Sequence, residues 1–118
     1  MPEDFFKVAQ VGPASVVSLT LPESTDSNEF DRLNEDILVV FAERPDARWI
    51  LDVTGLDYMG SSALGLLVNI RQRVIQGGGQ LILCGLSPQL LRVFRTCCME
   101  RLFRIVKTQA DAVKAISH

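Results

Sequence analysis

Two adjacent serines, Ser61 and Ser62, close the segment Leu56-Asp-Tyr-Met-Gly-Ser-Ser, with Ala-Leu-Gly following. The segment leaves a strand-like apolar run and enters a helical pattern, so the serines stand at a helix start. A hydroxyl there can accept from the free N–H groups of the first turn as an N-cap. It can also carry a phosphate, because a helix N-terminus favours negative charge by about 0.3 to 1 kcal/mol, and by up to roughly 2 in a sheltered site. Helix geometry puts Ser62 within the first turn, with Ser61 as the competing N-cap. A second adjacent pair, Cys97 and Cys98, falls with Leu90, Leu91 and Phe94 on one helical stripe. Together with Cys84 on a strand-like run, they read as reduced thiols packed as small apolar groups. Three cysteines without metal-ligand spacing do not suggest a disulfide framework or a redox pair.

Other reactive types are sparse. His118 is the single histidine and the last residue, so a Ser-His-Asp or Cys-His arrangement would depend on a terminal residue as its base; no enzyme is expected. Gly77-Gly78-Gly79 ends a helix and precedes a strand, the reverse of a phosphate-binding loop. Asp52 and Asp57 near the end of a strand lack a third ligand, so neither a metal nor another cofactor is expected.

Composition narrows the classes further. The 118 residues are 47% apolar and 22% charged, enough for one well-packed domain over residues 1–118. Twelve Lys and Arg against fourteen Asp and Glu give a net charge of −2, which lacks the positive field that nucleic-acid binding needs. Arg92, Arg95, Arg101 and Arg104 read as a solvated helix rim. No apolar run reaches the roughly 18 residues of a membrane span and no secretory leader pattern is present, so a cytoplasmic protein without membrane insertion is expected.

The elements that position these residues follow from periodicity. Phe5 to Val11 and Ala14 to Thr20 flank Gly12-Pro13 as a β-hairpin. Asp26 and Glu29 form a capping-box pattern before a helix from about Ser27 to Glu43, with Phe30, Leu33, Ile37, Val40 and Phe41 on one face. Arg48 to Val53 is a buried strand. A helix from Ser61 or Ser62 to about Gln76 follows, its faces marked by Leu64, Leu67, Val68, Arg71, Val74 and Ile75, and Gly77 to Gly79 close it in left-handed conformations. Gln80 to Cys84 is a strand, Ser87-Pro88 caps the next helix, Phe103 to Val106 is a short strand, and Thr108 with Asp111 opens a last helix. The fold class is α/β: an N-terminal β-hairpin leads into a mixed four- to five-stranded sheet packed by about four helices.

The order and spacing of Trp49-Ile-Leu-Asp-Val-Thr-Gly-Leu-Asp-Tyr-Met, Ser61-Ser62, Leu64-Gly-Leu-Leu and Gly78-Gly-Gln-Leu-Ile-Leu-Cys-Gly-Leu-Ser-Pro resemble the STAS family. So does the ending Val93-Phe94, Leu102-Phe103 and Asp111-Ala-Val. The family includes anti-sigma-factor antagonists and the cytoplasmic tails of sulfate transporters. In the antagonists the signature Asp-Ser-Ser/Thr-Gly is phosphorylated on its second hydroxyl residue, which corresponds here to Ser62, with Ser61 as second choice. Here the signature reads Gly60-Ser61-Ser62-Ala63, so its acidic residue and its glycine are both replaced.

The resemblance implies an anti-sigma factor antagonist that binds an anti-sigma factor with serine kinase activity, is switched off by serine phosphorylation and is reset by a phosphatase. It implies a monomer or weak dimer. Asp26 best matches the family's acidic partner-surface residue. Loops at the carboxyl ends of parallel strands cluster on one edge, so Asp26, Asp57, Tyr58, Met59, Gly60, Ser61 and Ser62 are expected to form one partner surface, with Tyr58 and Met59 partly exposed. The alternative is a non-phosphorylated STAS scaffold or an accessory subunit of a membrane transporter complex.

Overall fold

In the computed structural model, described for residues 6–20, 27–43 and 47–116, strands and helices follow in the order β1 (Phe6–Val11), β2 (Ala14–Leu19), α1 (Ser27–Glu43), β3 (Arg48–Asp52), α2 (Ser61–Gln76), β4 (Gln80–Cys84), α3 (Pro88–Thr96), β5 (Arg104–Val106) and α4 (Gln109–Ile116). One 3-10 turn, Met99–Arg101, joins α3 to β5. The sheet order is β1-β2-β3-β4-β5; only the hairpin pair is antiparallel. The expected mixed sheet with four helices is thus the observed one, with five strands.

Alternation along the strands sorts the core into two layers. Val17, Leu19, Trp49, Leu51 and Leu83 face α1, α2 and α3, meeting Leu33, Ile37, Phe41, Leu66, Ile70, Val74, Leu90 and Phe94. Ala14, Val16, Ile50, Ile82 and Cys84 face the other way, against Ala112 and Ile116 of α4. Three helices lie on one face because each crossover between neighbouring parallel strands advances in the same direction, and a right-handed connection then always returns on the same side. Phe41 and Trp49 anchor the first layer with ring centroids 4.5 Å apart and planes tilted by 52°, an arrangement favoured by the aromatic quadrupoles.

Several local expectations need correction. In α2 the buried residues are Ala63, Leu66, Leu67, Ile70 and Val74, while Leu64 and Val68 are half-buried and Ile75 is 52% exposed. Of the three glycines that close α2, only Gly78 is left-handed, at φ 79°. Gly77 is right-handed at φ −83°. One left-handed residue suffices, because Gly78 N–H donates to Ile75 O at 3.0 Å and Gly79 N–H to Val74 O at 2.9 Å, which satisfies the last carbonyls. The capping-box pair Asp26 and Glu29 and the side chain of Phe30 lie outside the described residues and side chains.

Cys97 and Cys98 are exposed, whereas Cys84 is buried as expected. The helix ends at Thr96, one residue before the pair, and Cys98 turns the chain through a left-handed conformation at φ 59°. Both thiols are exposed and off the Leu90 and Phe94 stripe, and Met99 enters the core in their place at 7% exposure.

Candidate functional site

Strands β2, β3 and β4 run parallel and end together, with Ser18 beside Asp52 and Asp52 beside Cys84. The loop from β3 to α2 therefore emerges at the carboxyl edge of the sheet, where open α/β folds place their functional loops. Its course is set by alternate anchoring. Val53 N–H donates to Cys84 O at 3.0 Å, and Leu56 N–H returns to Val53 O at 2.9 Å. Val53, Leu56 and Met59 are sunk into the core at 0%, 2% and 5% exposure, while Asp57 and Tyr58 point outward. Met59 is therefore not the exposed contact expected for it: it is the third apolar peg of the loop. Tyr58 stays outside at 67% exposure.

Asp52 fixes the base of this loop. One carboxylate oxygen, Oδ1, accepts from Thr54 N–H at 2.9 Å and from the Thr54 hydroxyl, and Oδ2 accepts from Gln109 Nε2 of α4 at 2.9 Å. Both oxygens are thus engaged in holding the β3–α2 loop to the start of α4. Gly85, just after β4, is pressed against the same group. A Cβ built on it would overlap Thr54 Oγ1 and lie 2.8 Å from Thr54 N, and its φ of 84° already favours glycine. Burial, and secondarily the charge of Asp52, raise the neighbouring Cys84 thiol from 9.0 to about 12, which keeps it protonated. The roles of Thr54, Gly85 and Gln109 were not read from sequence. An Asp followed two residues later by Thr is a recognisable local-turn signal, but the partner from α4 lies 57 positions away.

Helix α2 opens at Gly60, not at a serine. Gly60 is the N-cap, with φ −81° and ψ −179°, and offers no side-chain acceptor; no acidic residue lies in the first turn. Its carbonyl already accepts from Leu64 N–H at 3.1 Å. The N–H groups of Ser61, Ser62 and Ala63 precede the first intrahelical donor, and among the described residues no side chain accepts from them. Ser61 and Ser62 occupy the first two helical positions and are both exposed, whereas Ala63 turns into the core at 7% exposure. Ser61 is thus a helical residue and not the cap expected for it. Tyr58 stands over this end, its hydroxyl oxygen 3.4 Å and its nearest ring atoms 3.7 and 3.9 Å from a Cβ built on Gly60.

The geometry joins Asp57, Tyr58, Ser61 and Ser62, all exposed, and the half-buried Gly60 in one continuous segment. Asp26 lies outside the described residues. The loop does lean on the end of β2, since a Cβ on Gly55 would lie 3.2 Å from Thr20 Cγ2. Among the described residues no group of three or more His, Cys, Asp or Glu side chains could hold a metal ion, and no helix is long and apolar enough to cross a membrane.

Comparison with known proteins bears on the fold and the family. The chain is 27% identical over 78 residues to BtrV of Bordetella bronchiseptica, a protein classed with the anti-sigma factor antagonists, covering 66% of this chain and 67% of BtrV. An anti-sigma-factor antagonist (STAS) domain protein from Planctomyces limnophilus superposes with a TM-score of 0.80 at 21% identity, covering 96% of this chain and 98% of that one. The Bacillus cell fate determinant SpoIIAA superposes in its phosphorylated form with a TM-score of 0.65 at 18% identity, covering 94% of this chain and 98% of that one. The model of the STAS domain matches residues 7–112, and the chain belongs to the STAS domain family.

Proposed function

We propose that this chain is an anti-sigma factor antagonist that docks, through the edge carrying Asp57, Tyr58, Gly60, Ser61 and Ser62, onto an anti-sigma factor with serine kinase activity. Phosphorylation of Ser62 releases it, and a phosphatase resets it. The protein acts in the cytoplasm by binding, without a reaction of its own, and Asp26 extends the docking surface from the loop after β2. One observation carries the reading: Ser62 is exposed in the first turn of a helix whose N-terminus has neither a side-chain cap nor an acidic residue. A phosphate there meets free N–H groups and the positive end of the helix dipole. The folded state therefore tolerates the modification. The partner does not, because a phosphoserine brings about −1.5 to −2 charges that must be desolvated in the interface. The relationship to BtrV supports the same reading.

The test uses the full chain as bait for its kinase, followed by affinity measurements on Ser62→Asp and Ser62→Ala. Both variants are expected to fold. The first should bind at least tenfold more weakly, about 1.4 kcal/mol, and the second close to the parent. A second reading rests on Gly60, which stands where the antagonists carry Asp: a scaffold or transporter-associated subunit that no phosphate switches. Equal binding by both variants, with capture of a membrane transport complex in place of a kinase, would establish that reading instead.

A further inference from the structure

The turn after α3 places two thiols in an unusual setting. Cys97 and Cys98 are exposed neighbours; Cys97 is the C-cap of α3, and Cys98 turns the chain at φ 59°. The same stretch holds most of the positive charge of the C-terminal half. From residue 92 to residue 107, Arg92, Arg95, Arg101, Arg104 and Lys107 face only Glu100, a local excess of +4 in a chain of net −2. All five cations are exposed. Arg95 and Arg101 bracket the pair within one turn on each side, as the backbone contacts Cys98 N–H to Arg95 O at 3.1 Å and Arg101 N–H to Cys98 O at 3.5 Å require. Glu100 offsets this only in part, reaching Arg95 across 3.6 Å at the surface, where ion pairs are weak.

We propose that Cys97-Cys98 is a modification site for low-molecular-weight disulfides that carry carboxylates. The arginines attract the carboxylates and so raise the local concentration of the reagent around two accessible thiols. One thiol gives up its proton and its sulfur attacks a sulfur of the small disulfide. The S–S bond breaks, half of the reagent stays on the protein as a mixed disulfide, and the other half leaves as a thiolate that takes up a proton. The product stops there. The peptide joining the two cysteines is trans, which holds their Cα atoms about 3.8 Å apart, less than the roughly 4.4 to 6.8 Å that a disulfide spans. Cys84 takes no part, being buried on the α4 side of the sheet.

The experiment exposes the reduced full chain to glutathione disulfide, to neutral hydroxyethyl disulfide and to cationic cystamine. Adducts are followed by mass spectrometry, and each rate is divided by that of a neutral model thiol with the same reagent. At low salt the normalised rate is expected to be highest for glutathione disulfide, by at least about threefold over the neutral reagent, and lowest for cystamine. The adduct should map to Cys97 or Cys98. Added salt and the double variant Arg95→Gln/Arg101→Gln should remove the preference, and Arg95→Lys/Arg101→Lys should keep it. Equal normalised rates for the three reagents, a preference that survives the glutamine variant, modification at Cys84, or an internal disulfide as the main product would each overturn the proposal.

Discussion

Helices α2 and α3 both leave the carboxyl edge of the sheet, yet they start in opposite ways. Ser87 caps α3 by accepting from Leu90 N–H at 3.1 Å, and Pro88 follows, so one free donor is satisfied and another is absent. Gly60 begins α2 with no side chain at all. The closed start has its own acceptor, whereas the open start keeps free N–H groups and the positive end of the helix dipole, which favour an external negative charge. The two loops touch where Gly85, two residues before Ser87, presses on Thr54. The open end therefore rests on a close contact shared with the closed one.

The contact between the loops is the place where the largest effect is expected. Gly85→Ala would put a methyl group into Thr54 and Asp52 on a backbone at φ 84°. A loss of about 3 kcal/mol is expected from strain and overlap together, read as a lower midpoint in urea unfolding. A loss under about 1 kcal/mol would mean that the loops adjust independently and share no base.

Cys84, beside the same contact, gives the next largest effect. Its thiol is raised to about 12 in the folded chain against 9.0 as the ordinary value. The unfolded chain therefore releases this proton first as pH rises, so the contribution is complete below pH 9 and is lost between pH 9 and 12. Relative to Cys84→Ala, the parent should lose on the order of 2 kcal/mol of stability by about pH 11. Parallel stability curves for the two proteins would show that Cys84 ionises freely in the fold.

Most of the architecture was legible because it rests on local patterns. The Ser87-Pro88 start, the Thr108 start that accepts from Asp111 N–H at 3.1 Å, and the strand periods each declare themselves within a few residues. What was not legible depends on where a helix stops or on contacts between distant segments. Cys97 and Cys98 continue the spacing of Leu90 and Phe94, yet α3 stops at Thr96 and both thiols are exposed. Met59 sits between the exposed Tyr58 and the half-buried Gly60 at the open helix start, but the loop needs it as a buried peg. The hold of Gln109 on Asp52 has no local signature at all. The serine pair was read correctly as a helix start, although the cap itself falls one residue earlier.

The smallest effects test the contrast between the two helix starts directly, by exchanging their characters. Ser87→Ala removes the acceptor from Leu90 N–H and should cost about 1 kcal/mol, seen as a lower melting temperature. Gly60→Asp makes the opposite change. The backbone at Gly60 is extended, open to any residue, and its Cβ would meet Tyr58 at an ordinary 3.4 Å, so the variant should fold. Because Gly is already a tolerated N-cap, the gain from Asp is only a few tenths of a kcal/mol. Its larger consequence is electrostatic. The new carboxylate would take up free N–H groups and place a negative charge close to Ser62, so a second negative charge there should no longer be favoured. Measured as a double-mutant cycle, Ser62→Asp should raise stability by about 0.5 kcal/mol in the parent and by less, or not at all, in the Gly60→Asp background. Equal effects in both backgrounds would show that the N-terminus of α2 does not favour a negative charge at Ser62.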